Sequence, residues 1–136
     1  ALPDLTNLKD WHVYPMDRRM GSARVEIAAD SVSIGKEDRI LRYAVAVIPK
    51  SGLRNVFFEG IDCFSSRYRN YAWSLPDQTW RKADKLVWRV AQGGTINAWQ
   101  GTLIKDFCGD TGPYSLKEIQ KAVREGELPP KTEQSR

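Results

Sequence analysis

Arg39-Ile40-Leu41-Arg42-Tyr43-Ala44-Val45-Ala46-Val47-Ile48 decides how this chain folds. Leu41, Tyr43, Val45 and Val47 occupy alternate positions and would share one face of a strand, while Ala44, Ala46 and Ile48 make the opposite face apolar as well. A strand that is apolar on both faces needs cover on both sides, so this run is expected to be a central strand. Pro49-Lys50-Ser51-Gly52 then provides turn chemistry, and Val56 to Cys63 resumes strand-like residues. Ile40 to Cys63 is therefore expected to form an antiparallel hairpin, with a bulge near Gly60.

On the N-terminal side, Arg24-Val25-Glu26-Ile27 and Ser31-Val32-Ser33-Ile34 each alternate, which suggests two short strands before the turn Gly35-Lys36-Glu37-Asp38. Residues 1–23 have no clear period and are expected to form an N-terminal arm, loosely docked or paired as an edge strand around Trp11 to Tyr14. On the C-terminal side, Arg67 to Trp73, Thr79 to Arg81 and Leu86 to Val90 are rich in strand formers. After Gln92-Gly93-Gly94 the period changes. Trp99, Leu103 and Phe107 recur at helical spacing behind Asn97, a candidate N-cap, giving a helix over 98–107 that Gly109 and Pro113 would end. Ser115-Leu116-Lys117-Glu118 reads as a capping box, and Leu116, Ile119 and Val123 form the apolar stripe of a second helix ending at Gly126. The expected architecture is α+β: an antiparallel sheet of about five or six strands with two C-terminal helices on one face, in a single domain over 24–126, followed by a disordered tail at 127–136.

At 136 residues the chain suits one core. No apolar stretch approaches the roughly 20 residues of a membrane-spanning helix. The first residues, Ala1-Leu2-Pro3-Asp4-Leu5, carry no export signal, so any such signal is expected to have been removed. Cys63 and Cys108, the two cysteines, each close an apolar run. If paired, they would tie the middle of the chain to its C-terminal part and place the protein in an oxidising compartment; two separate buried thiols are the alternative. Zinc is not expected, because the cysteines lack ligand spacing and His12 is the single histidine. No cofactor signature is present, and Gly93-Gly94 ahead of the Asn97 helix lacks both phosphate-binding glycine fingerprints.

The net charge of +4 has one source. Phe64 to Gln92 holds six basic and two acidic residues, leaving 15 basic against 15 acidic elsewhere. Aromatic residues interleave with the cations there. Arg67, Arg69, Tyr71, Trp73, Trp80, Arg81, Lys82 and Arg89 thus form the candidate binding surface, able to meet anions through charge and flat groups through stacking. The bland reading assigns the same aromatics to core and cross-strand contacts and the arginines to a solvated edge. Glu59, Asp62 and His12 are the residues a hydrolase would use. Strand alternation places Glu59 and Asp62 on opposite faces, which disfavours a paired acid and base; one of them is expected to meet a neighbouring arginine and the other water.

The segments Ala29-Asp30-Ser31-Val32-Ser33-Ile34-Gly35, Leu41-Arg42-Tyr43, Asn55-Val56-Phe57-Phe58-Glu59-Gly60-Ile61-Asp62-Cys63, Tyr71-Ala72 and Asp106-Phe107-Cys108, in that order, resemble the cryptic neisserial protein-like family of bacterial envelope proteins. The resemblance runs from about Trp11 to Gly126, and Phe-Glu-Gly-Ile-x-Cys is its most specific part. It implies an exported protein of a Gram-negative bacterium, in the periplasm or at the periplasmic face of the outer membrane. Many members are lipoproteins anchored through an N-terminal cysteine, although neither cysteine here is terminal. No family catalytic residue transfers. The functional expectation is a non-enzymatic envelope binding or assembly protein, an accessory to a larger complex, whose partner is an envelope protein or an anionic envelope component. The competing expectations are an envelope hydrolase using Glu59, Asp62 or His12 and, third, a nucleic-acid-binding module, which the absence of RNA- or DNA-recognition motifs disfavours.

Overall fold

The computed structural model describes residues 2–16, 23–91 and 99–129. Its strands are β1 (Trp11–Val13), β2 (Arg24–Ala28), β3 (Ser33–Ile34), β4 (Leu41–Ile48), β5 (Asn55–Asp62), β6 (Arg67–Ser74), β7 (Trp80–Lys82) and β8 (Arg89–Val90). Helix α1 (Trp99–Phe107) leads into a two-residue hairpin of β9 (Cys108–Gly109) and β10 (Gly112–Pro113), and α2 (Leu116–Glu125) follows. The main sheet is antiparallel in the order β1-β2-β4-β5-β6-β7, with β3 beside β4 and β8 beside β6. The fold is α+β, and β4 lies in the middle of the sheet as its two-sided apolar pattern requires.

Both faces of β4 are covered, each by a different part of the chain. On the inner face Leu41, Tyr43 and Val45 pack with Val25, Ile27 and Ile61 against Trp99, Leu103 and Phe107 of α1 and Ile119, Ala122 and Val123 of α2. On the outer face Ala44 and Ala46 join Ala28, Val56 and Phe58, and the small alanine side chains let Leu2, Leu5 and Leu8 of the N-terminal segment lie close to the sheet. Trp80 donates its indole N–H to the Pro3 carbonyl at 2.7 Å, fastening that segment across the strands. In the N-terminal arm β1 pairs with β2 as the edge strand of the sheet, and Tyr14 is buried with its hydroxyl donating to Asp106 at 2.7 Å.

Ser31–Ile34 does not form one strand. The Ser31 hydroxyl donates to the Ala28 carbonyl at 2.6 Å and accepts the Ala44 N–H at 2.7 Å, which closes a 3-10 turn over Ala29–Ser31 and leaves β3 two residues long. Of Leu86 to Val90, only Arg89 and Val90 pair with β6, and Leu86 and Val87 stay exposed. The capping box of α2 is present, with the Ser115 hydroxyl accepting the Glu118 N–H and the Glu118 carboxylate accepting the Ser115 N–H, both at 3.1 Å. Gly126 ends that helix at φ 72°, a left-handed conformation that glycine adopts without penalty. At the start of the expected tail, Glu127 pairs with Lys121 and Pro129 is buried; 130–136, like the Gly93-Gly94 and Asn97 positions, lie outside the described residues.

Cys63 and Cys108 form a disulfide with a Cα–Cα distance of 5.5 Å. It joins the end of β5 to the end of α1. No helix among the described residues is long and apolar enough to cross a membrane.

Candidate binding face

The character of the outer face depends on a register shift between β5 and β6. Phe58 stands opposite Ala72, but Glu59 stands opposite Asn70, so Tyr71 is the extra residue of a bulge. Plain alternation would put Arg67, Arg69, Tyr71 and Trp73 on one face. The bulge separates them. Trp73 lies opposite Phe57 on the inner side, whereas Arg69 and Arg67 stand opposite Gly60 and Asp62 on the outer side with Tyr71. The other residues of the expected surface divide in the same way: Trp80 and Lys82 are outward, and Arg81 lies inward with its guanidinium 5.8 Å from the Trp73 ring. Arg89 stands opposite Tyr68, which packs on the inner core. Five of the eight residues therefore share the outer face, and three do not.

Gly60 makes room for the outward cluster. A Cβ at that position would lie 2.7 Å from the Tyr71 hydroxyl and 2.8 Å from a carbon of its ring, so the ring occupies space that only glycine leaves open. Two guanidinium groups lie over that ring, Arg42 at 5.5 Å and Arg69 at 5.1 Å from its centroid, and Arg69 also lies 4.3 Å from the Trp88 centroid. Asp38 holds Arg42 in place at 2.8 Å. That contact, together with the Ile40 backbone N–H, keeps the Asp38 carboxyl below its ordinary range. Arg69, Arg67 and Lys82 make no ion pair among the described residues. Beside the cluster lies a groove of about 420 Å³ lined by Leu2, Arg42, Phe58, Tyr71, Lys82, Ala83, Asp84 and Leu86. A second groove of about 460 Å³ lies farther along the N-terminal segment, where Arg54 covers the Trp11 ring at 4.4 Å. Trp88 was legible among the aromatics interleaved with the basic cluster, whereas Arg42 and Leu86 were not, because β4 and the approach to β8 meet Tyr71 only in three dimensions.

Glu59, Asp62 and His12 lie apart. The Glu59 carboxylate is 2% exposed beneath α1, and neither it nor Asp62 makes an ion pair with an arginine among the described residues, where one of the two was expected to. Instead Glu59 accepts from the Tyr43 hydroxyl at 2.9 Å, the Trp99 indole N–H at 3.0 Å and the Gln100 amide at 3.0 Å. Burial pushes its pKa up to about 7, against the three donors that favour the ionised form. The same burial, with Glu59 beside it, pushes the Tyr43 phenol well up. Asp62 faces outward and accepts the Phe64 N–H of its own turn at 3.0 Å. His12, on the edge strand β1, lies 2.6 Å from Asp10, which also accepts from Arg124 of α2 at 2.7 Å. Arg124, and then His12, hold the Asp10 carboxyl below its ordinary value. None of the three lines either groove described above. Among the described residues no three or more of His, Cys, Asp and Glu gather where they could hold a metal ion.

The chain matches no curated protein and no solved structure. A family model described as the CNP1-like family matches residues 1–125, a span that takes in the N-terminal segment over the outer face, the bulged sheet with its cation–aromatic cluster, the disulfide and both helices. The chain accordingly belongs to the CNP1-like family, the one its Phe-Glu-Gly-Ile-x-Cys stretch resembles.

Proposed function

We propose that this protein is a non-enzymatic binding or assembly module of the Gram-negative cell envelope, accessory to a larger complex, and that it meets its partner through the outer face of the sheet. The observation that carries this reading is the stack of Arg42, Tyr71, Arg69 and Trp88, in which Arg69 lies between two aromatic rings, donates its Nε–H to the Tyr71 hydroxyl at 3.3 Å and makes no direct ion pair among the described residues, although its charge reaches Asp38. A guanidinium held in this way keeps its two terminal NH2 groups for an incoming anion, and stacking fixes it at little further entropic cost. The Cys63–Cys108 disulfide supports an oxidising compartment, and the family resemblance supports the envelope.

The hydrolase alternative has less support, since Glu59 is enclosed by its three donors while Asp62 and His12 are occupied elsewhere. The test is recovery of partners from envelope extract with the wild-type protein and with Arg67→Glu, Arg69→Glu and Lys82→Glu combined, using Arg81→Glu as the inward-facing comparison. A partner lost with the outward triple variant and retained with Arg81→Glu is the expected result. Undiminished recovery by the triple variant would overturn the assignment of this face, and salt-sensitive oligonucleotide binding would favour the nucleic-acid alternative instead.

A further inference from the structure

The groove beside the Arg69 stack has two kinds of wall. Leu2, Phe58 and Leu86 supply an apolar floor, and Leu86 is half exposed. Arg42 and Lys82 supply positive charge. At about 420 Å³ the space falls within the size range of small-ligand sites. Resting on the binding-module reading above, we infer that this groove takes a single-chain anionic amphiphile, its acyl chain along Leu2, Phe58 and Leu86 and its carboxylate between Arg42 and Lys82.

Charge balance selects the head group. Asp38 already engages Arg42, and Asp84 stands on the groove wall, so two carboxylates offset part of the field of the two lining cations. Arg69 adds a third cation behind Tyr71. Three cations against two carboxylates leave a net charge of about +1, which a singly charged carboxylate neutralises and a phosphate dianion would exceed. The acyl chain adds to the affinity with each methylene it removes from water.

The test is calorimetric titration of the full chain with dodecanoate, dodecyl phosphate and a neutral dodecyl maltoside, each below its micellar concentration, and with octanoate as the shorter chain. Dodecanoate is expected to bind saturably, octanoate at least about tenfold more weakly, and the maltoside more weakly than dodecanoate. Lys82→Glu and Leu86→Asp are each expected to weaken dodecanoate by about tenfold or more, while Arg81→Glu leaves it unchanged. Both groove positions are exposed, so the variants should keep the wild-type unfolding midpoint; Lys82→Gln replaces Lys82→Glu if that one does not. Equal binding of the neutral amphiphile, tighter binding of the phosphate, indifference to both groove variants, or absence of saturable binding each overturn the inference. If no amphiphile binds but partner recovery still depends on Arg67, Arg69 and Lys82, the ligand assignment fails and the binding module stands. If dodecanoate binds while partner recovery ignores the outer face, the reverse holds.

Discussion

Replacing Glu59 by Gln should remove a pH dependence of stability that belongs to this one carboxyl. In the folded chain its pKa lies at about 7, against an ordinary value of 4.5, because it is buried without a cation and the three hydrogen bonds only partly offset the loss of water. That difference corresponds to about 3 kcal/mol at 1.36 kcal/mol per unit. The folded form holds its proton more tightly than the unfolded one. The associated stability is therefore fully present below pH 4.5, declines as the pH rises toward 7, and is gone above it. The Glu59→Gln amide does not titrate, so its unfolding free energy lacks this step. The substitution is also structurally tolerable, since Gln100 can turn its amide and present its buried Oε1, which has no hydrogen-bond partner among the described residues, to the new NH2 group. Urea unfolding with the disulfide intact, followed by tryptophan fluorescence at intervals from pH 4.5 to 8, measures both proteins. The wild type should lose about 3 kcal/mol more than Glu59→Gln across that range. The same pH profile in both proteins would refute the buried, counter-ion-free description of Glu59.

Replacing Cys63 and Cys108 together by Ala opens a loop spanning 45 residues and should cost about 4 kcal/mol in the chain-entropy description, read as a lower urea midpoint; an unchanged midpoint would show that the disulfide constrains nothing. Gly60→Ala should cost about 1 to 3 kcal/mol and displace the Tyr71 ring from Arg69, read as a change in near-ultraviolet circular dichroism together with a lower midpoint. Ser115→Ala removes the N-cap of α2 and should cost about 1 kcal/mol, with thermal unfolding as the check; a larger loss would mean that Ser115 does more than cap.

Local patterns carried the sequence-level expectations furthest where one segment's chemistry suffices. The capping box from Ser115 to Glu118, the helical recurrence of Trp99, Leu103 and Phe107, and the two-sided apolar run of β4 all depend on periodicity or on hydrogen bonds within a few residues. The 3-10 turn at Ala29–Ser31 escaped because the Ser31 hydroxyl accepts from Ala44, on a different strand. The N-terminal segment escaped for a related reason, since its leucines have no period of their own and find their place only against the alanines of β4. At the candidate site, Arg69 and Tyr71 were legible from charge and aromatic clustering, but Trp73 and Arg81 belong to the other face because a single bulge reverses the alternation beyond Tyr71.

By itself, then, the amino-acid order determined the α+β class, the central hairpin and the two helices, because side-chain periodicity and capping are local properties of the chain, and the family through the resemblance of its segments. Tertiary structure alone decided that Glu59 is sealed beneath α1 by donors as far as 41 residues away, and that Arg42, Tyr71, Arg69 and Trp88 form one stack beside a groove. Both outcomes depend on how β5 and β6 are registered and on what covers each face of the sheet, and those are settled only when distant segments meet.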